Sequence, residues 1–328
     1  MGTIDVSSIK RVMVTGGAGW IATNLIQQLV AQGVQVVAVC RDPRKGAHLT
    51  GAEVAKGDVT EPERLTELAR GCDVIFHIAA AFSDSAAVQY RVNVQGTVNV
   101  AEAAKAVGVT RLVHVSSVAV YGLGHTGIIT EDSPQQPSPR DFYQQSKKIG
   151  EDELWKFARK TGLPTSVIRP SFVYGAGSAF WSGTMFDLVR RLPFVPELPG
   201  NAHPIYIDDV VEMLLLLAIH PDALGEAFHC TPDPSLSWRE YLGGFARIAG
   251  RTDWRKFTAA SFAPLVRPIE LYLQMRGYPY DISGTMRFVS QKATYSMQKA
   301  RELLNWSPSV SFAEGMAASE EWLLTGRT

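Results

Sequence analysis

The feature that most constrains this chain lies within residues 11–31. There an apolar run, Val12-Met13-Val14, meets Thr15-Gly16-Gly17-Ala18-Gly19-Trp20-Ile21-Ala22 and then becomes helix-periodic. The order is strand, glycine turn, helix. Gly16 permits a tight turn, Gly19 lets backbone approach a pyrophosphate closely, and the small Ala22 lets the new helix pack on its strand. A phosphate would then sit at the helix N-terminus, where free N–H groups and the helix dipole favour an anion. Many turns use glycine, but this one has the strand before it and the helix after it that the motif requires.

The following segments extend the same rhythm. Residues 36–40 form a β-branched run of the kind expected for a strand buried on both faces, and further short runs lie at 53–56, 74–78, 112–116 and 165–168. Helix-like stretches separate several of them, including long ones at 86–107, ended by Gly108, and 143–160, ended by Gly162. Such alternation predicts right-handed crossovers and a mainly parallel, doubly wound α/β sheet. Beyond about residue 175 prolines, glycines and aromatics accumulate, which predicts a smaller C-terminal substrate lobe. The expected division is 1–175 for the dinucleotide-binding domain, completed by segments around 205–230, with 176–328 mainly lobe. The apolar, aromatic segment 262–280 is expected to be lobe core.

Composition removes several classes of partner. Lys+Arg and Asp+Glu both number 32 in 328 residues, so no global field recruits nucleic acid or an anionic membrane. Cys40, Cys72 and Cys230 have no CxxC spacing, which argues against a disulfide framework or a zinc site, and no metal is expected. Residues 1–10 lack a signal-peptide core, and the aliphatic run 213–219 is too short to span a bilayer. The expectation is a soluble, cytoplasmic protein with a small-molecule substrate. His77 and His114 fall in predicted strands and read as core histidines, and the seven tryptophans as packing residues.

Tyr143 and Lys147 are four residues apart on a predicted helix and share one face. A phenol is a poor base at neutral pH, but a nearby ammonium stabilises its anion. Ser117 follows a predicted strand, at the edge where a doubly wound sheet places its ligand crevice. An isolated pair of this kind is ordinarily a surface pair. Downstream of a dinucleotide turn and a strand-end serine, it reads as a catalytic group.

Together these segments resemble the short-chain dehydrogenase/reductase superfamily, in its extended branch, nearest the 3β-hydroxysteroid dehydrogenase and dihydroflavonol reductase members. The resemblance spans nearly the whole chain. Beyond the glycine turn it includes Gly57-Asp58-Val59-Thr60, His77-Ile78-Ala79-Ala80, Asn93-Val94-Gln95-Gly96-Thr97, Ser116-Ser117-Val118-Ala119-Val120-Tyr121-Gly122, Tyr143 with Lys147, Arg169-Pro170, and Val173-Tyr174-Gly175. Tyr206-Ile207-Asp208-Asp209-Val210 and Leu304-Asn305-Trp306-Ser307-Pro308 resemble later signatures of the branch. Ala22 departs from the branch's more usual glycine, and no loss of binding is expected from so small a side chain.

The resemblance implies that Tyr143 exchanges the proton, Lys147 lowers the phenol's pKa and holds the nicotinamide ribose, and Ser117, with Ser116 as fallback, orients the substrate oxygen. It implies a cofactor site at Gly16, Gly19, Trp20, Ile21, Asp58, Val59, Ala79, Ala80, Ala81, Asn93, Pro170 and Val173, together with Tyr143 and Lys147. It also implies a homodimer through the two long helices. Where NAD-preferring members place an acid to bind the ribose, this chain has Cys40, followed by Arg41, Arg44 and Lys45, which suit the 2′-phosphate of NADP. In the alternative, Asp42 takes the ribose and NAD is used.

Phe172 stands where sugar-nucleotide members usually carry asparagine, and Phe180, Trp181, Met185 and Phe186 follow. These are the expected substrate residues, for a bulky apolar ketone interconverted with its alcohol, steroid-like or flavonoid-like in shape. The rival is a sugar-nucleotide epimerase or dehydratase that regenerates its cofactor in each cycle. A non-catalytic cofactor-binding regulator is a third reading, disfavoured by the intact trio.

Overall fold

The computed structural model describes residues 4–82, 85–192, 194–256 and 282–326, so the segment 262–280 lies outside the described residues. Its centre is a seven-stranded, all-parallel sheet. From one edge to the other the strands are Ala227–Cys230, Thr165–Pro170, Arg111–Val115, Val74–His77, Arg11–Thr15, Gln35–Cys40 and Glu53–Lys56. The doubly wound α/β class expected from the sequence is the one observed.

Alternating side chains divide between two helix layers, as the strand period requires. Met13, Val37, Val39, Ile75 and Leu112 pack with helices Pro62–Ala69, Gly96–Val107 and Phe142–Thr161 through Leu65, Val100, Ala104 and Leu154. Val12, Val14, Ala38, Phe76 and Val113 pack with helices Trp20–Ala31 and Ile207–Ile219 through Leu25, Leu29, Val210 and Leu214. Buried on both faces, the strands read as continuous apolar runs.

The chain's order reverses beside the first strand, where Thr15 lies in register with His77. Ligands of open α/β sheets bind beyond the strand C-termini at such a switch point. The chain leaves the sheet after Thr165–Pro170 and returns with its last strand, Ala227–Cys230. In between, strand Phe172–Tyr174 pairs with Pro204–Tyr206, and after the last strand helix Trp238–Ile248 brings Trp238 and Tyr241 against Phe172 in an aromatic cluster. The two late signatures prove to be halves of one contact. Asp209 accepts hydrogen bonds from the backbone of Ser309 (2.8 Å) and Val310 (3.3 Å), and the Trp306 indole donates to Glu212 (3.1 Å).

The segment 86–107, expected to be one helix, contains a π-helical stretch at Tyr90–Gln95 between α-helical pieces. Periodicity alone does not reveal an extra residue in a turn. Against this stretch lies the helix Phe142–Thr161, and Gly150 makes the approach possible. A Cβ at Gly150 would stand 2.2 Å from the Asn93 carbonyl oxygen. Gly150→Ala must push the two helices apart, and we expect it to cost about 1–3 kcal/mol, the range for overpacking. Thermal denaturation checks this; an unchanged melting temperature would contradict the close approach.

Candidate active site

The glycine turn is built for a phosphate. Gly16 has φ +70°, and a Cβ there would lie 2.8 Å from Ala79 Cα, so conformation and space both require glycine. Gly19 caps helix Trp20–Ala31 without any side-chain hydrogen bond to the first turn. The first-turn N–H groups of Trp20, Ile21 and Ala22 therefore have no intrahelical acceptor and suit a pyrophosphate. Trp20 has a further use that the sequence did not reveal. Its indole donates to the Ala176 carbonyl (2.8 Å), and a Cβ at Gly177 would touch the ring nitrogen at 2.7 Å. The side chain ties the turn to the loop after Phe172–Tyr174, leaving the backbone N–H for the ligand.

Behind the turn, a chain of donors fixes the crevice floor. Thr97 Oγ donates to the Asn93 carbonyl (2.7 Å) and so accepts the Nε2–H of His77 (3.0 Å). His77 Nδ1 must then accept from Thr15 Oγ (2.8 Å), whose own lone pairs take the N–H groups of Ile78 (3.2 Å) and Ala79 (3.3 Å). Burial pushes the His77 imidazole down to about 3, with Lys147 adding to the effect, so it stays neutral as this order requires. Asn93 completes the floor by accepting from Ala81 N–H (2.7 Å) and donating to Ala81 C=O (2.9 Å) and to Ser146 (2.9 Å). Its observed role is to set the Ala81 peptide. Val59 is buried, with its carbonyl held by Asn99 (2.8 Å), and Asp58 accepts from Thr60 N–H and Oγ (both 2.9 Å). Pro170 is buried at the end of strand Thr165–Pro170, and Val173 is buried in the strand that follows it.

At the end of the second strand Cys40 is buried, which raises its thiol pKa, with the Ala18 N–H acting in the opposite direction. Asp42 and Arg44 neutralise each other through two bonds of 2.9 Å, with Arg44 N–H also on Asp42 (3.1 Å). Arg44 is thus not a free cation, contrary to the expectation, and both Asp42 oxygens are engaged. Arg41 and Lys45 remain exposed, with no ion pair among the described residues.

The structure brings Ser117, Tyr143 and Lys147 together. Ser117 begins the turn after Arg111–Val115; its Oγ accepts from Ala119 N–H (3.1 Å), and its side chain lies near the Tyr143 phenol. Burial raises the phenol, and Ser117 pulls it partly back; Asp141 adds a small upward push. The ammonium expected to lower it is engaged elsewhere: Lys147 Nζ donates to the Val115 carbonyl (2.6 Å). Burial lowers Lys147 to about 8, against an upward pull from Glu151. Ser116 is buried and lies against Glu151.

Of the expected substrate residues, Phe172 is not an open wall. Only 7% exposed, it stacks on Trp181 (4.4 Å) and Trp238 (5.8 Å) and meets Tyr241 and Phe288, because the lobe's helices close around it. Phe186 is buried, Trp181 and Met185 are half-buried, and Phe180 is exposed with its ring against Trp181 (4.8 Å).

Two participants escaped sequence reading. Glu151, one helical turn beyond Lys147, was visible in the spacing, whereas its partner Arg169 (2.5 Å) is a long-range contact. Phe82 places its ring against Tyr143.

This arrangement defines a nicotinamide-cofactor enzyme, and similarity to known proteins agrees. Residues 12–230 match the model of the NAD dependent epimerase/dehydratase family. The chain belongs to that family, the extended branch of the short-chain dehydrogenases/reductases, and is an NAD(P)-dependent enzyme of that type. It is 27% identical over 350 residues to a 3beta-hydroxysteroid-dehydrogenase/decarboxylase of Arabidopsis thaliana, covering 95% of this chain and 80% of the relative. It is 25% identical over 333 residues to a UDP-glucose 4-epimerase of Vibrio cholerae, covering 99% and 98%. The structure of MoeE5 in complex with UDP-glucose and NAD superposes with a TM-score of 0.75 at 23% identity, over 97% of this chain and 100% of the other, a likeness of fold. Among the described residues no helix is long and apolar enough to cross a membrane.

Because Lys147 loses its proton near pH 8, its charged form prevails below that value and disappears above it. Affinity for the dinucleotide cofactor should fall as pH rises through about 8, and Lys147→Met should remove that dependence. Fluorescence titration across this range decides it; a flat wild-type profile would contradict a role for the ammonium in binding.

Proposed function

We propose that this protein is an NADP-dependent oxidoreductase that interconverts a ketone and a secondary alcohol on a bulky apolar substrate, steroid-like or flavonoid-like in shape. The observation that carries the proposal is the placing of Ser117 beside the Tyr143 phenol, with Lys147 one turn away on the same helix. The bound dinucleotide supplies or accepts the hydride. Tyr143, kept protonated by burial, gives its proton to the carbonyl oxygen as charge develops there, and Ser117 orients that oxygen. Lys147 holds the nicotinamide ribose. Gly16, Gly19 and the N–H groups of Trp20 and Ile21 hold the pyrophosphate, with Asp58, Val59 and Ala79–Ala81 about the adenosine.

The apolar substrate is supported by the aromatic make-up of the lobe and by the similarity to a hydroxysteroid dehydrogenase. NADP is supported by Cys40 in the ribose-acid position, by the closed Asp42–Arg44 pair, and by exposed Arg41 and Lys45. We assign 1–175 with about 205–230 to the cofactor half and 176–328 mainly to the substrate lobe. A cytoplasmic homodimer paired through 86–107 and 143–160 completes the reading; exposed Tyr90 and Ile149 on those helices support it.

The second reading, a sugar-nucleotide epimerase or dehydratase, draws support from the near-complete coverage of a UDP-glucose 4-epimerase. Cofactor absorbance separates the two, since an epimerase produces no net change. We expect NADPH oxidation with bulky apolar ketones and weak or no binding of UDP-sugars. Micromolar UDP-glucose affinity with epimerisation would reverse the choice.

Two substitutions test the roles. Tyr143→Phe should lower turnover by about 10²–10⁴-fold, the usual share of general acid catalysis, with NADPH affinity nearly intact. Wild-type turnover in that variant, with the chemical step rate-limiting, would remove Tyr143 from the mechanism. Arg41→Ala should reduce the preference for NADPH over NADH by about ten-fold, as loss of a charge-assisted hydrogen bond implies. Equal affinities in the wild type would return the ribose to NAD.

A further inference from the structure

Phe82 is a ring that the fold exposes without local benefit. It is 84% exposed, more than any other large hydrophobic side chain among the described residues. Apolar area left in water forgoes about 25 cal/mol per Å² of possible stabilisation, and a polar residue would serve a surface loop as well. The ring nevertheless stands edge-on to Tyr143, centroids 5.2 Å apart and planes at 66°, a favourable arrangement for an aromatic pair.

The placement is also built. Ala81, the preceding residue, has both its N–H and its C=O bonded by the Asn93 carboxamide, at 2.7 and 2.9 Å. Asn93 is 2% exposed and donates to Ser146, on the helix that carries Tyr143. One buried side chain therefore sets the backbone beside Phe82 relative to the phenol. Phe82 follows the strand Val74–His77 on the side of the sheet where Ser117 follows Arg111–Val115, so both approach the same crevice.

We propose that Phe82 is a specificity-determining residue. Its ring and that of Tyr143 form an apolar corner that receives a flat aromatic or fused-ring face of the ketone, leaving the carbonyl toward Ser117 and Tyr143. The proposal deepens the ketone-reductase reading and rests on it for the orientation of the carbonyl. Small acyclic ketones reach the same hydroxyls without touching the corner.

The test compares wild type, Phe82→Ala and Phe82→Trp at saturating NADPH, with tetralone as the fused-ring ketone and diacetyl as the small one. Phe82→Ala should raise KM for tetralone about ten-fold, with kcat little changed, as expected for lost ring contact. KM for diacetyl and the affinity for NADPH should stay as in the wild type, and Phe82→Trp should restore tetralone. Equal effects on both ketones, or none on either, would overturn the assignment, as would a change in oligomeric state without the KM effect.

Equilibrium binding of tetralone to the Tyr143→Phe protein, with and without Phe82→Ala, separates this proposal from the reading beneath it. Phe82-dependent binding by an enzyme that reduces neither ketone would sink the reductase and keep the apolar corner. Ketone reduction with tetralone binding indifferent to Phe82 would do the reverse. Absence of both binding and turnover would overturn both.

Discussion

The site depends on one buried ion pair. Glu151, on the helix that carries Tyr143 and Lys147, meets Arg169, on the strand Thr165–Pro170, at 2.5 Å, with both side chains almost wholly out of solvent. Burial works against ionising Glu151, but the guanidinium overcomes it and holds the carboxyl below its usual range. The desolvation cost of such a pair offsets much of its attraction, so its value lies less in net stability than in what losing one partner would do. An uncompensated buried charge costs about 3–5 kcal/mol. Arg169 also donates to the Tyr121 hydroxyl (2.5 Å) and the Glu131 carbonyl (2.9 Å), and Tyr121 donates on to His229 Nε2 (2.8 Å). One guanidinium thus joins the helix that carries Tyr143 and Lys147 to the turn Val118–Tyr121, which Ser117 begins, and through Tyr121 to the last strand of the sheet.

Parts of this molecule written in short-range patterns were legible. The glycine turn, the apolar runs of the buried strands and the Tyr143–Lys147 spacing each need only a few consecutive residues, and the observed strands lie within a residue or two of those expected. Pairs made across the fold were not legible. Asn93 reaches Ala81 and Ser146, Arg169 reaches Tyr121, 48 residues away, and Trp20 reaches Ala176, 156 residues away. Phe172 shows the limit most clearly. Its position after Arg169-Pro170 was correct for a strand emerging at the crevice, but only packing decides whether such a ring faces ligand or neighbours. Here Trp181 and Trp238 are those neighbours.

Burial moves the two titrating groups of the site in opposite directions: Tyr143 rises and Lys147 falls to about 8. Both shifts favour the neutral form, because a medium that solvates charge poorly penalises phenolate and ammonium alike. Two influences oppose this. Ser117 lowers the phenol's pKa, and Glu151 stabilises the ammonium. The histidines beside Lys147 do not compete for the charge, since burial lowers His77 to about 3 and pushes His114 well below its ordinary value. The positive charge near the phenol therefore resides on Lys147 at neutral pH.

Hydrogen-bond capacity shows how that charge is shared. An ammonium has three donors and no acceptor. The Val115 carbonyl takes one at 2.6 Å, anchoring the side chain to the end of the strand that leads into Ser117. Two remain, enough for the ribose hydroxyls that the proposed function assigns to Lys147. With that ribose bound, the ammonium has no donor left for a direct bond to the phenol, and its influence there must act through space across a low-dielectric gap. Ser117, set beside the phenol, is then the hydroxyl placed to bond Tyr143 directly.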